Sequence, residues 1–264
     1  MAGERSGPDT TRERWIGGAL AACAAVPVVT LAVLLVILGG GVVAPAPAGL
    51  SRLLAGSLLL ASAAVAFACP IGLVIAVIAS EWARPRRRAT IAALLGHAAA
   101  VPAVLYGFVA LELVAPALAG SGVAERSGLA AAVALAAMIT PTFAAHATAA
   151  IRGVPEALRH AAYALGARRL STTVQVVLPA ARRGIASALL LALARALGEG
   201  VLVAIAAGSG RAAGLSLGGP VETLASWLVI EPSSAGALRI SAALFVVAVV
   251  CSGVGRWLAR EEAT

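Results

Sequence analysis

The stretch that decides the fold runs from Val154 to Glu199 and reads VPEALRHAAYALGARRLSTTVQVVLPAARRGIASALLLALARALGE. Its first half is basic, is bounded by Pro155 and Pro179, and consists mainly of residues that favour helices. Its second half is an apolar helical run that carries Arg195 and Glu199. The first half indicates a docking surface and the second a buried anion site. We therefore expect a protein that couples an external energy source to the movement of an anion across a membrane.

The composition is typical of a membrane protein. Hydrophobic residues make up 61% of the 264 positions and charged residues 12%, whereas a soluble domain is typically about 45–50% apolar and about 25% charged. All twenty basic residues are Arg, and the formal net charge is +8. Aromatic residues make up only 4%, which disfavours a surface for stacking nucleic-acid bases. The positive charge is therefore expected in the cytoplasmic loops of a membrane protein.

Six apolar runs are long enough to cross a bilayer, which takes about 20 residues. They are Ile16–Leu38, Leu53–Ser80, Ala89–Leu118, Leu129–Ala150, Gly184–Gly208 and Ala237–Leu258. Pro70 and Pro102 lie inside the second and third runs and predict kinked or tilted helices there. The fold prediction is therefore all-α, a polytopic membrane protein with six transmembrane helices. Its predicted parts are a tail at 1–15, one transmembrane domain at 16–258 with a cytoplasmic loop at about 151–183, and a tail at 259–264.

The distribution of Arg predicts the orientation of the chain. With the N-terminus in the cytoplasm, the inner segments hold fifteen Arg residues and the outer segments hold four. Cytoplasmic loops of membrane proteins carry an excess of basic residues. We therefore expect a multi-pass protein of the plasma (inner) membrane, with both termini in the cytoplasm.

The loop between the fourth and fifth runs is far longer than a turn requires. Pro155 suits the first turn of a helix, and Glu156 there complements the helix dipole. Residues Ala157–Leu165 favour a helix, and Gly166 permits the left-handed turn that ends it. Spacing alone leaves two interpretations open: a rigid lever gripped by another protein, and an amphipathic helix that rests on lipid.

The spacing of residues in this loop resembles that of bacterial ATP-binding-cassette importer permeases. The family pattern is Glu-Ala-Ala, three residues, Gly, nine residues, and Ile-x-Leu-Pro. The matching positions are His160, Ala161, Ala162, Gly166, Val176, Leu178 and Pro179. His160 stands where the family has Glu, which bears on the strength or partner choice of the contact. In the family this loop forms the coupling helices, which sit in a cleft of the cytoplasmic ATPase subunit.

This resemblance implies the fold of a type I importer permease with a cytoplasmic coupling-helix loop. It also implies which residues dock onto the ATPase. They are His160, Ala161, Ala162 and Gly166.

Two ionisable residues are predicted inside the membrane. Arg195 lies about eleven residues, or roughly 16 Å, into the fifth run, near the middle of a hydrocarbon layer about 30 Å thick. A charge at that depth costs at least about 2.5–3.5 kcal/mol and normally faces a bundle interior or a water-filled path. Glu199 is expected one helical turn further on the same face. The pair is either an internal ion pair that locks the bundle or a transient anion site, in which the guanidinium matches phosphate oxygens.

The stretch from Arg195 to Glu199, RALGE, resembles the R-A-x-G-E signature of phosphate-specific permeases. Val101–Phe108 (VPAVLYGF) is similar to their I-P-S-V-V-Y-G-F segment, and Ala79–Ala83 (ASEWA) resembles the segment before the preceding cytoplasmic turn. The sequence after Glu199 is closer to the C-type than to the A-type permease, although Gly200 stands where Thr is usual. The predicted substrate pathway consists of Arg195, Glu199, Tyr106 and Gly107, the last two because they follow the helix break at Pro102.

The resemblance implies a set of partners. They are a second permease subunit, expected to be a paralogue in a heterodimer, a cytoplasmic ATPase dimer, and an extracytoplasmic phosphate-binding protein. The sequence has no G-x-x-x-x-G-K-[ST] phosphate loop. We therefore expect a transport subunit with no catalytic residues, metal ligands or bound cofactor of its own, whose ATP and Mg are held by the partner ATPase.

Three alternatives stand beside an inward phosphate permease. One is a divergent permease of the same family for another oxyanion. Another is a self-powered secondary anion carrier, against which stand the docking-type loop and the absence of repeat symmetry. The third is an integral-membrane enzyme, which no H-E-x-x-H motif, Ser/His/Asp set or pair of carboxylates at a common depth supports.

Overall fold

The computed structural model describes residues 49–118, 120, 122–208, 214–233 and 236–260, together with positions 36 and 39. The main elements in these ranges are helices, which confirms the all-α prediction. Apart from Val36, the first predicted span, Ile16–Leu38, lies outside the described residues, as do the predicted tail at 1–15 and positions 261–264.

Most of the helices are joined by connections of a few residues, and the stretch between α8 and α9 is the longest connection. In order they are α1 Leu50–Trp82, α2 Pro85–Ala100, α3 Ala103–Leu118, α4 Gly128–Gly153, α5 Glu156–Ala164, α6 Arg169–Ala180, α7 Arg182–Leu197, α8 Val201–Ala206, α9 Leu224–Ile230 and α10 Ala237–Arg260. Three of them contain a π-helical turn, at Ile78–Trp82 in α1, Ala110–Val114 in α3 and Thr173–Val177 in α6.

Three helices are each long and apolar enough to cross a membrane. They are α1, α4 and the Ala237–Leu258 part of α10, and they match the second, fourth and sixth predicted spans. Two further pairs of helices are long and apolar enough to cross a membrane only when both members are taken together. They are α2 with α3 and α6 with α7. The described part of the chain therefore holds three single-helix crossings, or five if each pair counts as one.

The two helix pairs are bent sharply. The bend between α2 and α3 is 85° and lies at Val101 and Pro102, which confirms the kink predicted at Pro102. Pro70, in contrast, lies within α1 and does not interrupt it. The bend between α6 and α7 is 68°.

The fifth predicted span, Gly184–Gly208, is not one helix. It is divided between α7, which ends at Leu197, and α8, which begins at Val201. Gly198 and Gly200 flank the break, and Gly is among the weakest helix formers. The expectation that Glu199 continues the helix of Arg195 is therefore wrong.

The core is built around α4. It packs against α1 and α7, and it is far more enclosed than α1 or α10. Small residues on one face of α1 permit close contact, and a Cβ atom on Gly72 would lie 2.5 Å from the ring of Phe143 in α4. The large side chains at the centre of this contact are Leu60, Leu135, Met138, Ile139 and Phe143.

The segment 214–233 closes the end of the bundle opposite α5. It contains α9, whose first turn carries a capping box between Thr223 and Ser226. The backbone N–H of Leu224 donates to the hydroxyl of Ser57 in α1 at 2.9 Å. A Cβ atom on Gly56 would lie 2.2 Å from the carbonyl oxygen of Glu222, so only Gly allows this approach.

Candidate functional site

Helix α5 and the turn after it have the form that the sequence predicts. Pro155 precedes the helix and Glu156 lies in its first turn. Gly166 has a φ of +82° and ends the helix, and its N–H donates to the carbonyl oxygen of Tyr163 at 2.9 Å. A Cβ atom on Gly166 would meet nothing within 4 Å. Gly166 is therefore required by its backbone conformation and not by packing.

The predicted docking residues divide between two faces of α5. His160 and Ala161 are exposed, and so is Gly166 just beyond the helix, whereas Ala162 is buried against the rest of the protein. Apolar side chains around them are also exposed, above all Leu165 at 89%. Of the predicted docking residues, His160, Ala161 and Gly166 are thus the ones at the surface. Ala162 packs α5 against the rest of the protein.

His160 has an acidic neighbour on its own helix. Its Nε2 atom lies 3.7 Å from Oε2 of Glu156, one turn earlier, and both side chains are largely exposed. The contact is an ion pair only when His160 is protonated. Since exposed pairs of this kind contribute at most about 0.5 kcal/mol, both side chains are available for contact with another protein.

A buried ion pair joins α5 to the end of α1. Arg159 and Glu81 are each 8% exposed. Nη2 of Arg159 donates to Oε1 of Glu81 at 2.9 Å, and Nε donates to the same oxygen at 3.3 Å. The guanidinium also donates to the carbonyl oxygens of Ile151 at 2.9 Å and Val154 at 2.5 Å. Because both charges are buried, removing one partner typically costs about 3–5 kcal/mol.

Two further Arg side chains hold the same turn of α1. Arg169, at the start of α6, donates to the backbone carbonyl of Glu81, and its guanidinium carbon lies 5.7 Å from the ring centroid of Trp82. Arg88 donates to the carbonyl oxygens of Ala79 at 3.1 Å and Ser80 at 2.9 Å. These bonds satisfy carbonyl groups that a helix end otherwise leaves unpaired.

Sequence reasoning missed this cluster. It counts Arg159 only among the fifteen Arg residues of the inner segments. One signal was present, since Glu81 is the single acidic residue between Leu53 and Leu111. Because a buried charge is costly unless it is paired, a lone carboxylate at the end of an apolar helix predicts a cationic partner.

Arg195 and Glu199 lie on either side of the break between α7 and α8. Arg195 is exposed on the isolated chain, in the last turn of α7. Glu199 is partly buried, and its Oε1 accepts a hydrogen bond from the N–H of Leu202 at 3.1 Å, which caps the first turn of α8. No salt bridge joins the two, although both are among the described residues. An ion pair between them therefore does not lock the bundle.

Tyr106 and Gly107 lie where α3 meets α8. The Tyr106 hydroxyl donates to the carbonyl oxygen of Ala98 at 3.0 Å, across the bend. Gly107 is buried, and a Cβ atom there would lie 3.2 Å from Cβ of Ile205 in α8. The structure thus brings Gly107 to the short helix that Glu199 caps. Arg195 is exposed in the last turn of α7.

The described residues contain no group of three or more His, Cys, Asp or Glu side chains able to hold a metal ion. A cavity of about 910 Å³ opens beside α5. It is lined by the end of α4, Leu158 of α5, the end of α6 and the start of α7, which includes Arg182 and Arg183. The predicted docking residues of α5 lie at the same end of the bundle.

Comparison with known proteins identifies the family. The model of the family described as "Binding-protein-dependent transport system inner membrane component" matches residues 1–262. The chain belongs to this family. A member of this family is a membrane-spanning transport component of the inner membrane, and such a permease works with an ATPase and a substrate-binding protein.

Several relatives within this family are similar over much of the chain. A probable ABC transporter permease, YqgH of Bacillus subtilis, is 35% identical over 153 residues, which are 54% of this chain and 47% of the relative. The phosphate transport system permease PstA 1 of Mycobacterium tuberculosis is 31% identical over 209 residues, 77% of this chain and 67% of the relative. PstC of Haemophilus influenzae is 32% identical over 208 residues, 71% and 66% respectively. The chain thus spans about half the length of YqgH and about two thirds of the two phosphate permeases.

Solved structures of other ABC transporters share the fold. The chain superposes on the inward-facing MetNI methionine transporter with a TM-score of 0.61 at 19% identity, over 81% of this chain and 95% of that one. An amino acid ABC transporter solved with histidines gives a TM-score of 0.54 at 19% identity, over 79% and 92%. These similarities support the predicted importer-permease fold and carry no information on the substrate.

Proposed function

We propose that this protein is the transmembrane permease subunit of an ABC importer that moves inorganic phosphate inward, driven by ATP hydrolysis in partner subunits. The observation that carries the proposal is the similarity to PstA 1 and PstC, whose names state phosphate transport, over more than two thirds of the chain. The chain itself binds no cofactor, and ATP and Mg are held by the partner ATPase.

The substrate path is proposed to run past the break between α7 and α8. Arg195 offers a planar guanidinium at an exposed position in the otherwise apolar second half of α7, and such a fork binds phosphate oxygens in pairs. Glu199 keeps one carboxylate oxygen on the Leu202 amide, which leaves the other to accept the proton carried by hydrogen phosphate. Tyr106 and Gly107 set the position of α8 from the other side.

Coupling is proposed to act through α5. His160, Ala161 and Gly166 present the surface that enters the ATPase cleft, and Ala162 seats the helix from within. The further partners are a second permease, a paralogue in a heterodimer, and an extracytoplasmic phosphate-binding protein. The helix α5 and the basic residues Arg84, Arg86 and Arg87 lie around the same end of α1. Because cytoplasmic loops carry an excess of basic residues, we propose that this end faces the cytoplasm and that both termini do so as well.

Uptake of radioactive phosphate by cells that lack the gene, and by the same cells with the gene restored, tests this function. We expect restored, ATP-dependent uptake that a hundredfold excess of sulfate does not suppress. Arg195→Gln should lower uptake at least tenfold, whereas Arg52→Gln, which removes the same charge at the far end of α1, should not.

Other results would point to the alternatives. Suppression by sulfate or another oxyanion, with no phosphate uptake, would identify a permease for that anion. Uptake that persists when the partner ATPase is inactivated would indicate a secondary carrier.

A further inference from the structure

Helix α5 has few contacts with the transmembrane bundle. Of its nine residues, only Arg159 and Ala162 are buried. Ala162 contributes a single methyl group, whereas Arg159 spans the distance from α5 to the end of α1. The turn at Gly166, beyond the other end of the helix, offers no side chain at all. Arg159 is therefore the buried side chain that links α5 directly to the end of α1.

That guanidinium connects three separate segments. It bonds to the carboxylate of Glu81 at the end of α1, to the carbonyl of Ile151 in the last turn of α4, and to the carbonyl of Val154 in the connection to α5. The α1 and α4 helices form the largest contact in the core. A displacement of Arg159 thus acts on both central helices together.

The turn of α1 that binds Arg159 is fixed by further hydrogen bonds. Residues Ile78–Trp82 form a π-helical turn, a feature frequent at functional sites. Arg88 bonds to the carbonyl groups of Ala79 and Ser80, and Arg169 bonds to that of Glu81 while lying over Trp82. Since Arg169 begins α6, the chain on both sides of the Gly166 turn is fastened to this one turn.

We infer that the Glu81–Arg159 ion pair is the attachment through which movement of α5 is transmitted to the transmembrane bundle, and that both are positioning residues for transport. This role rests on the proposed function. Its measure is the coupling ratio, which is the number of phosphate ions transported per ATP hydrolysed. A residue with a purely structural role would alter the amount of assembled protein and leave this ratio unchanged.

The test uses the complete complex of permeases, ATPase and binding protein, purified and reconstituted in liposomes. The variants are Glu81→Gln, Arg159→Gln, the conservative Glu81→Asp, and Arg152→Gln. Arg152 lies one residue after Ile151, is exposed, and serves as the matched control for loss of positive charge. ATP hydrolysis and uptake of radioactive phosphate are measured on the same vesicles.

We expect Glu81→Gln and Arg159→Gln to retain at least half of the ATP hydrolysis and to lose at least tenfold in the coupling ratio. Glu81→Asp and Arg152→Gln should stay within twofold of the unaltered complex. Assembled Gln variants with an unaltered ratio would overturn the inference.

A second variant covers the case in which both single changes prevent assembly. Glu81→Leu combined with Arg159→Met removes both buried charges at once, a replacement that is often neutral or stabilising. A tenfold loss of coupling in this double variant would support the inference, and an unaltered ratio would overturn it. Failure of all variants to assemble, Glu81→Asp included, would show that the pair is needed for folding, and would also overturn it.

The proposed function is tested separately by the unaltered complex. If that complex moves a different anion, the coupling ratio is measured with that anion, and the role of the ion pair is judged on the same comparison. If it moves none, the proposed function is wrong whatever the variants do.

Discussion

The hydroxyl group of Tyr106 donates a hydrogen bond to the carbonyl oxygen of Ala98, on the far side of the bend between α2 and α3. In a continuous helix that carbonyl would accept from residue 102, and Pro102 has no N–H to give. The N–H of Val101 reaches the same oxygen only at 3.4 Å. Tyr106 therefore supplies the hydrogen bond that the proline removes.

We expect Tyr106→Phe to lower the free energy of unfolding by about 0.5–1.5 kcal/mol, the usual net contribution of one hydrogen bond. Thermal unfolding of the purified protein in detergent measures this. Tyr163→Phe is the control, since Tyr163 is exposed on α5. A melting temperature for Tyr106→Phe that matches the control would contradict this account of the bend.

Gly107→Leu is expected to abolish transport, because Gly107 is buried and its Cβ position is only 3.2 Å from Ile205. Overpacking at such a contact costs about 1–3 kcal/mol and displaces α8 together with its Glu199 cap. Gly96→Leu, at an exposed position with nothing within 4 Å, should be tolerated. Phosphate uptake and the amount of each variant in the membrane are measured. Equal uptake by the two variants would contradict the need for close contact between α3 and α8 at Gly107.

Glu199→Gln should keep the fold and change the selectivity. The Gln side-chain oxygen can still accept from the Leu202 N–H, so the cap of α8 remains, whereas the negative charge is lost. We expect sulfate to compete with phosphate at least tenfold better than before. Glu199→Ala removes the cap as well and should destabilise the protein by about 0.5–2 kcal/mol. Unchanged competition in Glu199→Gln would exclude a role for the carboxylate in selectivity.

Gly166→Val should weaken binding of the ATPase. A β-branched residue at a φ of +82° is strained by about 1–2 kcal/mol, a factor of about 5–30 in an equilibrium constant. Gly153→Val is the matched control, because its Cβ position is equally open and its backbone is helical. The amount of ATPase that co-purifies with each variant is compared, and equal recovery would argue against the Gly166 turn as part of the docking surface.

Glu222→Gln should raise stability at neutral pH. Burial raises the pKa of the Glu222 carboxyl. The positive charge of Arg52 lowers this pKa to a smaller extent, and the negative charge of Glu231 raises it further. The folded state then binds the proton more tightly than the unfolded state, so stability falls as the pH rises from the ordinary pKa through the raised one. The melting temperatures of Glu222→Gln and the unaltered protein should therefore differ at pH 7 and converge below pH 4. Glu125→Gln, at an exposed position, is the control for the loss of one negative charge.

The parts of this fold that follow from local pattern are predictable from the sequence. The α1, α4 and α10 crossings are long apolar runs, and α5 is set by Pro155, Glu156 and Gly166 at its ends. In each case a few adjacent residues determine the backbone, so length, propensity and capping are enough to place the element.

The remaining features depend on contacts between distant residues. Glu81 and Arg159 are 78 positions apart, and no periodicity along the chain relates them. The break after Leu197 did have a local signal, the two Gly residues around Glu199, but the length of the apolar run outweighed it. The surroundings of Arg195 depend on what packs against the exposed end of α7, which no local pattern of residues specifies.

The enclosed position of α4 has a consequence for how the protein enters the membrane. Among the three single-helix crossings α4 is the least apolar and the most enclosed, so lipid alone is a poorer environment for it than for α1 or α10. Its neighbour α1 is synthesised before it and α7 after it. We expect a nascent chain truncated before Arg182 to be degraded, because α4 then lacks its contact with α7. A chain that extends through Leu197 contains α7 and should persist.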